Sequence, residues 1–328
     1  MFRLWRDHSW ALGLIAVPRS FVGPESFLGK VARPVDRLLG PVWNRVRTYG
    51  RMIKFSHTIF ALPFALAAVA LAARDHAVTP ADLGWILVAM VGARSAAMGF
   101  NRLIDAEFDA RNPRTANREI PAGVLSKTAA AAFVALSGAV FVGAAAMLGT
   151  LPFLLSFPVL AALLGYSYTK RFTWLAHFYL GAAISLAPAG AWVAVTGGLD
   201  PAILILSLAL MAHITGFDIL YACQDVGFDR AEGLRSVPVR FGVRTALRSA
   251  ALVHAGAFAA FLALHFAFGM GPIYLMTVGI IGFLLLFEHW LVPPDDLSRV
   301  PVAFFHVNSI VAAVLFLGVL ADTLVGGR

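Results

Sequence analysis

The sequence predicts an all-α integral membrane protein of nine transmembrane helices, on three observations. Of the 328 residues, 59% are hydrophobic and only 13% charged, with a mean hydropathy of +0.79; soluble domains carry roughly 25% charge. Lys and Arg are absent from 128–169, 172–229, 249–298 and 300–327. Turn signals fall near the centres of the first three gaps: GTLP at 149–152, TGGLDP at 196–201 and GMGP at 269–272.

A span takes about 20 residues. The apolar runs 55–73 and 83–100 flank RDHAVTPAD and make a first hairpin. Each of the three longer basic-free gaps holds two more helices, and the last gap holds one. Residues 1–47 stand apart as a basic N-terminal extension, cytoplasmic or interfacial: they have one short apolar run, 10–17, and lack a convincing small-residue cleavage site. Residues 48–328 form the transmembrane domain. With the N-terminus inside, all of the 26 Lys and Arg except Arg74, Arg94 and Arg328 fall on the cytoplasmic side, as the positive-inside rule requires. The formal charge of +8 therefore reads as topology and anion binding within a lipid bilayer, with no nucleic-acid partner. The expected location is a bacterial-type inner (plasma) membrane, multi-pass. One cysteine, Cys223, excludes an intrachain disulfide and reads as packing.

Two acidic pentads, DAEFD at 105–109 and DVGFD at 225–229, each follow an apolar helix at the cytoplasmic end and precede an Arg-containing loop and a Pro. The duplication predicts two related halves facing one site. If helical phase continues, Asn101, Asp105 and Asp109 share a face, as do Asp218, Asp225 and Asp229. Stacked carboxylates repel unless a positive group lies between them. Hard oxygen donors with no His or Cys in the set fit Mg²⁺, which binds few carboxylates and takes the rest of its shell from water and phosphate. Arg114, Arg118, Lys170, Arg171, Arg230 and Arg235 would hold the remaining phosphate charge. The alternative is that the acids pair with those arginines in solvated loops.

In YSYTKRFTWLAH, residues 166–177, Tyr166 and Lys170 are four apart and share a face; Lys170 and Arg171 could also be simple topology anchors. Arg94 lies seven residues before Asn101 on the same helix, deeper in the membrane. An ionisable residue there is a functional candidate, or a structural partner for Asp218. His57, His177 and His213 read as satisfied helix histidines.

These residues resemble the UbiA superfamily of intramembrane prenyltransferases. Its first signature, Asn-x-x-x-Asp-x-x-x-Asp, matches Asn101, Asp105 and Asp109. Its second, Asp-x-x-x-Asp after Tyr-Ala, matches Asp225 and Asp229 after Tyr221 and Ala222; its Tyr-x-x-x-Lys element matches Tyr166 and Lys170. The resemblance covers roughly 48–325. It implies a helical bundle whose central cavity, capped on the cytoplasmic side, holds a polyprenyl diphosphate on two Mg²⁺ ions, one on Asn101, Asp105 and Asp109, the other on Asp225 and Asp229. It further implies that Tyr166 and Lys170 touch the diphosphate and that Arg171 holds the carboxylate of a hydroxyaryl acceptor. Ser167 and His177 depart from the Pro and Gln of many hydroxybenzoate enzymes. With FSHTIFALPFALA and NPRTANREIPAG, they look closer to the futalosine-pathway menaquinone branch, whose acceptor is a dihydroxynaphthoate. Family members acting on haem or chlorophyllide are an alternative. So is a cation-coupled transporter, although transporters place their acids near the midplane in broken helices and most of these lie at helix ends.

Overall fold

The computed structural model describes residues 44–54 and 60–326. The chain divides into two units, Met1–Arg51 and Met52–Arg328; of the first, residues 44–51 are described and are helical. Most of the N-terminal extension, and His57, lie outside the described residues. No β-strand occurs among the described residues.

The second unit is built from α1 (Leu62–Ala72), α2 (Pro80–Ile104), α3 (Lys127–Leu148), α4 (Thr150–Thr169), α5 (Ala176–Thr196), α6 (Pro201–Ala222), α7 (Val243–Ala267), α8 (Pro272–Leu291) and α9 (Asn308–Gly326). Eight helices among the described residues are long and apolar enough to cross a membrane. Of the first expected span, 55–73, residues 60–73 are described and contain the shorter α1, of 11 residues.

The expected turns close the hairpins. Before α2, Thr79 accepts a hydrogen bond from Asp82 N while the Asp82 carboxylate accepts from Thr79 N, a capping box with Pro80 in the first turn. Gly149 separates α3 from α4. Gly197 ends α5 in the left-handed region at φ 74°, where a side chain would be strained, and Asp200 caps α6 by accepting from Ala202 N. Gly271 has no side chain to cap α8, and Asp322 of α9 does it instead, accepting from Gly271 N at 2.7 Å and Tyr274 N at 3.0 Å. Arg74, off the basic side, donates to Phe268 O at 2.6 Å and ties two of these turns together.

Packing follows membrane logic. A Cβ on Gly92 would lie 2.9 Å from Phe141 N, and one on Gly181 would lie 2.6 Å from Met211 O; glycine lets α2 meet α3, and α5 meet α6, at backbone distance. Leu252, Phe266, Phe283, Leu286, Trp290 and Leu324 are exposed, which suits a surface solvated by lipid. Between α8 and α9, the fully buried Glu288 accepts from Asn308 Nδ2 at 2.9 Å.

Candidate active site

Both acid motifs begin where a long helix stops. Helix α2 ends at Ile104, Asp105 takes φ −89° and ψ 2°, and a six-residue helix, Ala106–Arg111, follows. Helix α6 ends at Ala222, a 3₁₀ turn, Cys223–Asp225, leads to φ −100° and ψ 4° at Asp225, and another six-residue helix, Val226–Ala231, follows. The helical phase expected to run through each motif is thus interrupted at its middle aspartate. In the first motif, Asp105 N still donates to Asn101 O at 2.9 Å and Asp109 N to Asp105 O at 2.8 Å, so the i, i+4 stacking survives the break.

A cavity of about 460 Å³ joins the two motifs. Asn101, Asp105, Asp109, Asp218, Tyr221, Asp225 and Asp229 line it, with Arg94, Arg114, Arg118, Tyr166, Lys170 and Arg235. Beyond them the walls are apolar, reaching Ile86 and Met90 on α2, Leu148 on α3 and Pro152 on α4. From Asp105 back to Ile86 along α2 is about 28 Å at 1.5 Å per residue, so the cavity extends through most of a bilayer's hydrocarbon thickness.

At the polar end Asp105, Asp109 and Asp225 have each found a cation. Asp105, 3% exposed, accepts from Lys170 Nζ at 2.6 Å, Asn101 Nδ2 at 3.0 Å and Arg171 at 3.4 Å. Asp109 accepts from Arg118 through both oxygens at 2.7 Å. Asp225 is chelated by Arg114, which also donates to the Tyr221 hydroxyl at 2.7 Å. Arg114 belongs to the first half and Asp225 to the second. Arg111 crosses the same divide to chelate Glu232. The pairing offered above as an alternative is therefore real, but it occurs inside the cavity, not in solvated loops.

The donor chemistry fits Mg²⁺. No three His, Cys, Asp or Glu among the described residues cluster as a self-sufficient metal cage, and Mg²⁺ takes one or two carboxylates and completes its octahedron with water and phosphate. Asn101, Asp105, Asp109, Asp225 and Asp229 supply oxygen donors at the same end as the cations that would receive the phosphates.

Three sequence assignments change. Arg171 does not line the cavity: it lies behind Asp105, donates to Ile104 O at 2.9 Å, and stacks over Phe108 and Tyr168. Helix α4 ends at Thr169, so Lys170 and Arg171 diverge, and only Lys170 lines the cavity. Arg94 does not pair with Asp218. It donates to Lys54 O at 3.4 Å and leaves its buried Nε without a hydrogen-bond partner. Asp218 instead meets His177, with Oδ2 2.6 Å from Nδ1. Arg230 is not among the lining residues. Cys223 is buried and donates to Ile219 O, as a packing residue does.

Sequence reasoning missed Lys54, Asn112 and Phe304. Lys54 lines the cavity with its backbone at φ 47°, a conformation that a side-chain-bearing residue holds only when its surroundings impose it. Burial, followed by the charges of Arg102, Arg118 and Arg114, lowers its pKa to about 8. Its one sequence signal was a Lys immediately before the first apolar run. Asn112 accepts from Arg114 N at 2.9 Å and sets the turn that aims that arginine. Phe304 reaches the cavity from a π-helical turn, Ala303–Val307, and packs against Tyr221 with ring centroids 4.2 Å apart and the planes tilted by 38°; such turns often mark functional sites.

An all-helical membrane bundle with two acid motifs and a basic rim at one end of a long apolar cavity can seat a molecule with an anionic head and an apolar tail. The sequence profile of the UbiA prenyltransferase family matches residues 61–310, and the chain belongs to that family of prenyl-transferring enzymes. It is 31% identical over 245 residues to the 4-hydroxybenzoate octaprenyltransferase of Saccharophagus degradans, covering 73% of this chain and 79% of that one. It is 31% identical over 247 residues to the enzyme of that name from Citrobacter koseri, covering 74% and 84%. The structure of a UbiA homolog from Aeropyrum pernix superposes with a TM-score of 0.74 at 33% identity, over 81% of this chain and 98% of that one. A UbiA homolog from Archaeoglobus fulgidus bound to GPP and Mg²⁺ shares the fold, with a TM-score of 0.68 at 17% identity over 84% and 99%.

Proposed function

We propose that this protein transfers a polyprenyl group from a polyprenyl diphosphate to a hydroxyaryl carboxylate of the 4-hydroxybenzoate or 1,4-dihydroxy-6-naphthoate type, in ubiquinone or menaquinone biosynthesis. The observation that carries the reading is one cavity that joins paired carboxylates and the cations resting on them at one end to an apolar tunnel at the other. The names of the relatives, and the ligands of the Archaeoglobus homolog, support it.

Asn101, Asp105 and Asp109 would hold one Mg²⁺, and Asp225 and Asp229 a second. Bound there, the metal supplies neutralisation of charge on the departing diphosphate. Lys170, Arg114 and Arg118 now rest on those same carboxylates and would turn to the phosphate oxygens, with Tyr166 beside them. Their charge stabilises the leaving group as the allylic C–O bond breaks. The electron pair of the acceptor ring, ortho to its hydroxyl, forms the new C–C bond, and the ring then loses a proton.

The apolar walls exclude water from the carbocation and hold the isoprenoid tail. Arg94, two turns deeper than Asn101, with a buried N–H unengaged, suits the acceptor carboxylate; Arg171 braces Asp105 from behind. The polar end faces the cytoplasm of a bacterial-type plasma membrane.

The test is purified protein with Mg²⁺, a radiolabelled polyprenyl diphosphate, and the two acceptors in separate tubes. Transfer to one of them, abolished by EDTA, is expected. Transfer to neither by folded protein would overturn the acceptor assignment.

A further inference from the structure

His177 lies in the first turn of α5 and Asp218 near the cavity end of α6, 41 residues on. Their side chains meet with Nδ1 2.6 Å from Oδ2. The other ring nitrogen is also committed: Val237 N donates to Nε2 at 3.3 Å. A main-chain N–H can only donate, so Nε2 carries no proton, and Nδ1 carries the hydrogen given to Asp218. A second proton on the ring would set Nε2–H against Val237 N–H. The residue, 5% exposed, is thus pinned from both sides in one neutral tautomer.

Asp218 gains a fixed orientation from this contact. Its Oδ2 is engaged, its Oδ1 meets no protein donor among the described residues, and the side chain, 24% exposed, lines the cavity. Arg114 and Lys170 line the same cavity, and a carboxylate without a fixed partner would be drawn to such cations. Asp218 lies one turn deeper than Tyr221 on α6, and Arg94 lies two turns deeper than Asn101 on α2. A carboxylate acceptor and a guanidinium donor therefore both line the cavity below the acid motifs.

We propose that His177 is a positioning residue for the acceptor: it locks Asp218 so that Oδ1 accepts the hydrogen bond of the acceptor's ring hydroxyl. A hydroxyl hydrogen-bonded to a carboxylate releases more electron density into the ring, so the contact both places and activates the attacking carbon. The proposal rests on the prenyl-transfer reading above.

The experiment uses full-length wild-type protein and the His177→Ala, His177→Gln and Asp218→Asn variants, with KM measured separately for prenyl diphosphate and acceptor. Loss of one charge-assisted hydrogen bond should raise the acceptor KM of His177→Ala by about tenfold, with the prenyl diphosphate KM unchanged. Asp218→Asn should behave alike. His177→Gln should restore most of what His177→Ala loses, since a carboxamide offers an N–H to Asp218 and a C=O to Val237. Unchanged acceptor kinetics in His177→Ala, an equal rise in both KM values, or failure of a folded His177→Gln to rescue would each overturn the proposal while leaving the enzyme's reaction in place. No transfer by the wild-type protein would overturn the underlying reading, and the proposal with it.

Discussion

At Asp105 the chain leaves α2 and turns at once into a six-residue helix; at Asp225, after a 3₁₀ turn that follows α6, it enters another, with backbone angles that differ by 11° in φ, from −89° to −100°, and by 2° in ψ, from 2° to 4°. The company of the carboxylates differs. Asp105 is braced by Lys170, Asn101 and Arg171, all from the first half of the chain or the loop that closes it. Asp225 has one arginine and the Asn112 amide, both borrowed from the first half, and no hydrogen bond or ion pair is found for the Asp229 carboxylate among the described residues. A repeated motif has kept its main-chain device while its side-chain neighbours diverged. The first motif is held by cations of its own half; the second is held at Asp225 by Arg114 and Asn112 from the first half, with the Asp229 carboxylate left unpaired among the described residues.

That contrast can be broken by removing one carboxylate at a time. Asp105→Asn should cut prenyl transfer by at least about a hundredfold, the scale of losing one transition-state electrostatic contact, and should also lower the melting temperature, because Lys170 and Arg171 lose a buried partner. Asp229→Asn should lose comparable activity with no fall in melting temperature. Transfer assays and thermal melts in detergent check both. Equal melting losses would erase the distinction between a braced Asp105 and an unpaired Asp229 carboxylate.

Arg114→Ala sharpens the comparison, since that side chain serves the second motif from the first half. Losing its charge-assisted contacts should weaken prenyl diphosphate binding by about tenfold or more, read as a rise in KM for that substrate with the acceptor KM unchanged. Lys54 should show itself through pH. Its pKa, lowered to about 8 by burial and neighbouring guanidinium groups, means that the amine is charged below that pH and loses its charge as pH rises from 7 to 9. Affinity for the diphosphate should fall roughly fivefold over that interval, the scale of one partly screened charge, and Lys54→Arg should flatten the profile. The smallest effect is expected at Lys127, whose pair with Glu107 is exposed at 59% and 77%. Lys127→Ala should leave transfer and melting unchanged, as exposed pairs contribute little.

Much of this was legible in the sequence because single residues carried the information. Gly149, Gly197, Gly271 and Thr79 sit at the turns that their chemistry demands, and the spacing of Asn101, Asp105 and Asp109 was enough to place three donors on one cavity wall. What was hidden depended on contacts between distant segments. The pairing of His177 with Asp218, 41 residues apart, and the reach of Arg114 to Asp225, 111 residues on, leave no trace in spacing. Neither does the end of α4 at Thr169, one residue before the Lys170–Arg171 pair, which sends one cation into the cavity and the other behind it. Lys54 looked like one more basic topology marker because nothing in an isolated lysine announces burial.

The central claim is that both acid motifs grip one diphosphate. The most direct test is equilibrium binding of a non-reactive prenyl thiodiphosphate with Mg²⁺ to the wild-type protein, Asp105→Asn, Asp225→Asn and the double variant, analysed as a double-mutant cycle. The account predicts strong coupling, with the double variant binding little worse than the weaker single variant. Additive losses would mean two independent sites and would contradict it.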